Sequence, residues 1–218
     1  MRSLLRFGTW GLLFSAVLAG GCIFSPSKTD PVVQTGEYKP PTSPENVINN
    51  LQVSYRRKEV DRYAPLLRHD FIFVFQPDDA QEIGTDFWTR DEDSTGTENL
   101  FTAQDIRDIR IDLTHGPAQP PTEEGFPDGT MWIRISPTDL EVDQLPDIVL
   151  TVEGDIQDFY FLPGNPDQGE DPNHWYILEW RDKGDFGGVG KPGVSGTAAD
   201  GRKRVSWGEL MGFAGRTR

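Results

Sequence analysis

A chain of 218 residues with 35 acidic and 21 basic side chains carries a formal net charge of −14. That length suits one domain with tails, and the acidity excludes a surface built to follow nucleic-acid phosphates. One cysteine and three histidines exclude a disulfide framework and a cysteine-rich zinc module. Hydrophobic residues make up 36% of the chain and aromatic ones 11%, so rings must supply much of the core.

Residues 1–21 read as a secretory signal, with Arg2 and Arg6 forming a basic start and Trp10 to Leu18 an apolar run. The run is too short to span a bilayer, which takes about 20 residues. The lone Cys22 follows Ala19-Gly20-Gly21 in an arrangement that resembles a bacterial lipobox, with Leu18 one place earlier than usual. The resemblance implies acylation of Cys22, palmitate included, and a membrane anchor in the cell envelope, since several acyl chains hold a protein stably. The competing reading is cleavage after Ala19, which leaves Cys22 as a stray thiol. Ile23 after the cysteine, in place of aspartate, favours the outer over the inner membrane. Removing residues 1–21 takes away two arginines and no acid, leaving −16.

Residues 22–43 hold the cysteine and a stretch with Pro26, Pro31, Pro40 and Pro41, which predicts an extended tether. A packed arm around Val32-Val33 is the alternative. A domain is expected over 44–213, with a tail at 214–218. Ser43-Pro44-Glu45 is a helix start, and Val47, Ile48, Leu51 and Tyr55 recur at helical spacing to about Arg57. A second short helix is predicted from Glu59 to Leu67, frayed by Pro65. Asp70 then opens a strand, FIFVF (71–75), apolar on both faces. Residues 85–103 predict an irregular helix that holds Phe87, Trp88, Leu100 and Phe101 and breaks at Asp91-Glu92-Asp93 and Gly96. Alternation predicts strands at 109–113, 131–135, 147–154, 158–162 and 174–180, with connectors at 116–129, 136–146 and 163–173. Residues 182–204, with seven glycines, predict an excursion before a closing element at 205–213. From Lys183 onward the chain is locally +4.

Helices first and strands after is an α+β plan. The run SPENVINNLQVSYRRKEVDRYAPLLRHDFIFVF, Trp88, Trp180 and the closing Ser206-Trp207-Gly208-Glu209-Leu210 resemble a nuclear transport factor 2-like domain of a bacterial lipoprotein. The resemblance implies a cystatin-like cone, with N-terminal helices packed on a curved antiparallel sheet and a cavity at the wide end. Relatives of this shape include ketosteroid isomerases, polyketide cyclases and dimerising assembly domains, so the fold does not choose the function.

An isomerase of that kind needs a carboxylate base five residues into the first strand, where this chain has Phe75 followed by Gln76 and Pro77. Asp78 and Asp79 fall in a predicted loop, and Tyr55 reads as core. His69 and Asp70 are therefore the remaining catalytic candidates, against a capping role for His69 at a helix end. His115 and His174 stand on separate connections, so no metal is expected, and no cofactor. The acidic stretches 91–93 and 165–171 lack the alternating ligands of a calcium loop. Trp88, Tyr160, Tyr176 and Trp180 are expected to line any ligand pocket, because they combine apolar area with a donor. The expected function is a non-catalytic envelope lipoprotein that binds a small apolar ligand or an envelope protein. An envelope isomerase, cyclase or hydrolase and a homodimeric structural domain are the alternatives.

Overall fold

The computed structural model describes residues 36–153, 155–185, 196–197 and 201–216. The signal at 1–21 and Cys22 lie outside the described residues, as does most of the glycine-rich stretch. Helix α1 (Pro44–Arg57) starts where the sequence places it: the Ser43 hydroxyl accepts from Asn46 N, and Pro44 occupies the first turn. It ends at Lys58, whose left-handed backbone returns its N–H to Ser54 and Tyr55 carbonyls. A single turn, α2 (Val60–Tyr63), runs into a 3-10 turn through Pro65, and strand β1 (Leu67–Val74) begins at once. The second helix is therefore shorter than predicted and the strand longer, because Pro65 denies the helix a bond to continue on.

Helix α3 (Pro77–Ile83) replaces the predicted loop. Next come β2 (Phe87–Thr89) and α4 (Arg90–Thr102). The predicted irregular helix divides here, with Trp88 on a strand and α4 unbroken through Gly96. A capping box explains the division: the Thr89 hydroxyl receives the first-turn backbone N–H, while the Glu92 carboxylate accepts from Thr89 N at 2.8 Å. Gly96 is no breaker. The Trp88 ring lies where its side chain would go, 3.0 Å from an ideal Cβ.

Strands β3 (Ile106–His115), β4 (Met131–Gln144), β5 (Ile148–Glu153), β6 (Asp155–Pro163) and β7 (Trp175–Asp185) follow. The predicted 136–146 connector is the second half of β4, carried through Pro137. Two-residue strands β8 (Gly196–Thr197) and β9 (Lys203–Arg204) precede helix α5 (Trp207–Arg216). The sheet runs β2-β1-β7-β6-β4-β5-β9-β8, with β3 on β4. The first half of β4 pairs with β6, the second half with both β3 and β5. All pairings are antiparallel except β1 with β7 and β5 with β9.

Helices on one face of a curved, mainly antiparallel sheet make the α+β architecture expected. Phe71 and Phe73, Ile109 and Ile111, Ile133 and Ile135, Phe159 and Phe161, and Ile177 and Trp180 point inward from their strands. Among the described residues the edge strand β3 has no second strand partner, and α1 meets part of its free backbone. Arg56 Nε donates to the Ile111 carbonyl at 3.0 Å, and Leu113 N donates to Gln52 Oε1 at 3.1 Å.

Residues 36–43, predicted as the end of an extended tether, pack on the domain. Asn46, Asn49 and Asn50 on α1 read their backbone: Lys39 N donates to Asn50 Oδ1 at 2.8 Å, and Asn50 Nδ2 donates to Lys39 O at 2.7 Å. Asn49 reaches Glu37 O and Asn46 reaches Pro40 O, while Trp175 N donates to Pro41 O at 2.7 Å. Sequence composition marks this stretch as helix-poor but says nothing of the amides that wait for it.

Candidate functional site

The inner faces of α1, α2 and α4 bring two tyrosines, a threonine and one carboxylate together. Buried positions on α4 are Asp93, Gly96, Thr97, Leu100 and Phe101, a helical stripe that begins with an acid. Asp93 is 1% exposed. Its Oδ2 accepts from the Tyr63 hydroxyl at 2.5 Å. The Tyr55 hydroxyl and Thr97 Oγ1 are buried beside this pair without a hydrogen bond of good geometry. Burial pushes the Asp93 carboxyl up to about 7, and the Tyr63 bond offsets only part of that. Burial, followed by the Asp93 charge, raises Tyr63 and Tyr55 well above the ordinary phenol range.

A ring cluster continues from these residues. Tyr55 meets Tyr63 at 5.6 Å, Phe101 at 5.0 Å and Trp207 at 5.7 Å between centroids. Trp207 lies 4.7 Å from Trp180, which meets Phe159 at 4.6 Å and Phe73 at 5.3 Å. Edge-on and tilted contacts of this kind add to the area that each ring buries. Trp180 and Trp207 are both 0% exposed. The Trp180 indole donates to Gln157 Oε1 at 2.7 Å, and Gln157 Nε2 donates to Asp182 at 3.0 Å. Among the described residues Trp207 Nε1 has no hydrogen-bond partner.

Helix α5 seats Trp207 from outside the sheet. Ser206-Trp207-Gly208-Glu209 forms a capping box, with Glu209 N donating to Ser206 Oγ and Ser206 N to Glu209 Oε2, each at 2.9 Å. The Ser206 hydroxyl donates in turn to buried Asp79 Oδ1 at 2.9 Å, and Gln76 Nε2 holds Oδ2 of the same carboxylate at 3.0 Å. Gly208 presses on Asp79 so closely that a Cβ would sit 2.4 Å from Oδ2.

The residues nominated from sequence do not converge. His69 and Asp70, 33% and 46% exposed, stand at the solvent end of β1. Glu170 Oε1 accepts from His69 N at 2.8 Å and lies 3.3 Å from its Nδ1. The pair fastens the 164–174 loop to β1, and neither side chain joins Asp93. His69 is on a strand, which replaces the predicted helix-end cap. Trp180 belongs to the ring cluster, and Trp88 packs on Phe75 at 5.0 Å. Tyr160 lies on the opposite face of the sheet. There the 116–130 connector stacks Phe126 on it at 4.0 Å, with the Arg181 guanidinium 4.9 Å from its ring. The Tyr176 hydroxyl accepts from Asp171 N, again outside the cluster. The four rings expected to line a pocket therefore do not lie together, because strand alternation sends Trp180 inward and Tyr160 outward.

Asp91, Glu92 and Asp93 fan apart on α4, to solvent, to the cap and to the core. Asn165, Glu170 and Asp171 are committed to backbone amides of their own loop and of β1. Among the described residues no group of three His, Cys, Asp or Glu is placed to hold a metal. A surface groove of about 450 Å³ between α2 and α4 is lined by Asp61, Pro65, Arg90, Asp91, Ser94 and Glu98. Asp93 is not among its lining residues.

Sequence reasoning missed Asp93 and Asp79. The first was legible as the head of the stripe 93, 96, 97, 100 and 101, with the Thr89-x-x-Glu92 box in front. The second was hidden because α3 is short and polar.

No family model and no curated protein matches the chain. Solved structures do. A Mycobacterium tuberculosis protein of unknown function is 11% identical with a TM-score of 0.47, over 78% of this chain and 83% of that one. A nuclear transport factor 2-like superfamily protein from Salmonella enterica is 11% identical at 0.44, over 66% and 91%. A protein of unknown function with a cystatin-like fold from Nostoc punctiforme is 12% identical at 0.39, over 63% and 85%. The structural neighbours thus include the families that the sequence resembles, and at these levels no activity passes from them to this chain.

Proposed function

We propose that the chain is a non-catalytic lipoprotein of a bacterial envelope whose ring-lined interior binds a small apolar ligand. One observation carries the reading: Tyr55 and Trp180, backed by Phe101 and Phe73, form an aromatic seat, and the ring that fills it comes from a helix outside the sheet. Such a seat offers apolar area with few fixed donors, the usual composition of a small-molecule site. In this reading acylated Cys22 supplies the attachment; among the described residues no helix is long and apolar enough to cross a membrane.

Titrating the purified protein with N-phenyl-1-naphthylamine tests the binding. Saturable fluorescence at one probe per chain is expected, and an unsaturable response overturns the reading. Labelled palmitate is expected in the wild-type chain expressed in a bacterial host and absent from Cys22→Ser. Equal labelling of the two rejects the anchor.

A second reading, an envelope isomerase, cyclase or hydrolase, is favoured by the buried Asp93–Tyr63 pair. A carboxyl near 7 with a phenol at hydrogen-bond distance is equipment for proton transfer. Product formation lost in Asp93→Asn would establish it in place of the first.

A further inference from the structure

The seat of Trp207 is imperfectly matched to its occupant. Among the described residues three fully enclosed polar atoms of the cluster lack a hydrogen bond of good geometry: Trp207 Nε1 itself, and Tyr55 Oη and Thr97 Oγ1, which lie beside the Asp93–Tyr63 pair, with the Tyr55 ring against the indole. Leaving such groups unpaired costs stability, so the contact gives up some that a better-matched occupant would recover. Every other buried indole or phenol of the cluster has a partner, as Trp180 has Gln157 and Tyr63 has Asp93.

The attachment of α5 also permits removal. Among the described residues no strand pairs with it; it packs on α3 and α4, with Trp207 reaching Tyr55 and Trp180. The chain before it is pinned independently. Lys203 and Arg204 pair with Leu150 and Thr151 on β5, and Val205 N donates to the Thr151 carbonyl at 2.9 Å. A hinge between Val205 and Ser206 therefore frees α5 without unzipping the sheet. The latch beyond that hinge is the Ser206 hydroxyl on Asp79.

We propose that α5 is a displaceable plug: Trp207 occupies the ligand seat, and a flat aromatic molecule of about indole size with a hydrogen-bond acceptor takes that seat as α5 swings out. The acceptor pairs with the Tyr55 or Thr97 hydroxyl, and the flat ring replaces the indole between Tyr55 and Trp180. Apparent affinity is then the intrinsic affinity reduced by the fraction of molecules with α5 open. The inference rests on the ligand-binding reading above and adds its regulation.

Hydrogen exchange of the whole chain with and without saturating 1-naphthol tests it, together with calorimetric titration of wild type and Ser206→Ala. Expected are exchange about tenfold faster at amides 207–213 when naphthol is bound, unchanged exchange in β6 and β7, and about fivefold tighter binding by Ser206→Ala, the loss of one hydrogen bond from the plug. Binding by Ser206→Ala alone also supports the plug, as one too tight for wild type to open. If wild type binds naphthol while α5 keeps its protection and Ser206→Ala binds with unchanged affinity, the plug is overturned and the ligand-binding reading survives. If neither wild type nor Ser206→Ala nor Trp207→Gly binds, both fail together.

Discussion

Asp93→Asn is expected to leave stability almost unchanged near pH 4 and to raise it by roughly 4 kcal/mol at pH 8. The sign follows from the direction of the shift. Folding raises this carboxyl from 3.8 to about 7, so between those values the folded state holds a proton that the unfolded state has lost. The stability that this group contributes is fully present below the lower value, and it falls as pH rises through the upper one. Above about 7 the folded protein carries a buried charge met by the Tyr63 hydroxyl, and asparagine removes that burden while keeping a carbonyl for Tyr63. Urea unfolding of both proteins at pH 4, 6 and 8 measures the difference curve, in which the other acids cancel. An offset that is the same at all three values would mean that Asp93 is not held neutral by the fold.

Trp180→Ala is expected to cost about 3–5 kcal/mol, a large share of the stability of a domain this size. The indole touches Phe73, Phe159 and Trp207 and is fully buried, so its removal leaves a cavity among rings that are locked by their own neighbours. It also strands Gln157 Oε1, which loses its donor in the interior. Trp180→Phe retains most of the ring contact and loses the hydrogen bond, so it should fall between wild type and alanine. Denaturant midpoints rank the three, and near-ultraviolet circular dichroism reports the packing of the rings. Equal losses for phenylalanine and alanine would place the whole effect in the Gln157 bond rather than in the cavity.

The α+β plan was legible because α1 advertises itself three ways, by its cap, its proline and the stripe Val47, Leu51 and Tyr55, and because the strands alternate cleanly. What escaped has identifiable physical causes. Strand β4 passes through Ser136-Pro137, a dipeptide that local rules assign to a turn, yet the residues beyond it pair on both sides with β3 and β5. The inner stripe of α4 opens with an aspartate, a glycine and a threonine, so its hydrophobic periodicity is weak even though the face is fully buried. Asp93 is stabilised there by Tyr63, thirty positions away in sequence, a pairing no local pattern announces. The seat of Trp207 was invisible for the same reason. Ser206-Trp207-Gly208-Glu209 signals a helix start, but its destination against Tyr55 and Trp180 is set by tertiary packing alone. Strand parity divides the aromatic residues that the sequence singles out, sending Trp180 inward and Tyr160 to the other face.

The lacing of residues 36–41 onto α1 sets how the domain answers a pull. A chain held at Cys22 has at most about 50 Å between its anchor and Gly36, whatever path it takes. Load arriving at Gly36 meets its bond from Arg57, then Glu37 on Asn49, Tyr38 on Glu59, the two bonds between Lys39 and Asn50, and Pro40 on Asn46. These lie in chain order, so they yield one after another as a seam is peeled, and each yields at low force. Peeling to Pro41 pays out at most about 20 Å of extra length before tension reaches Trp175 and β7. In a chain anchored at Cys22, the segment would act as a mechanical fuse, yielding to a tug while helices and sheet stay intact.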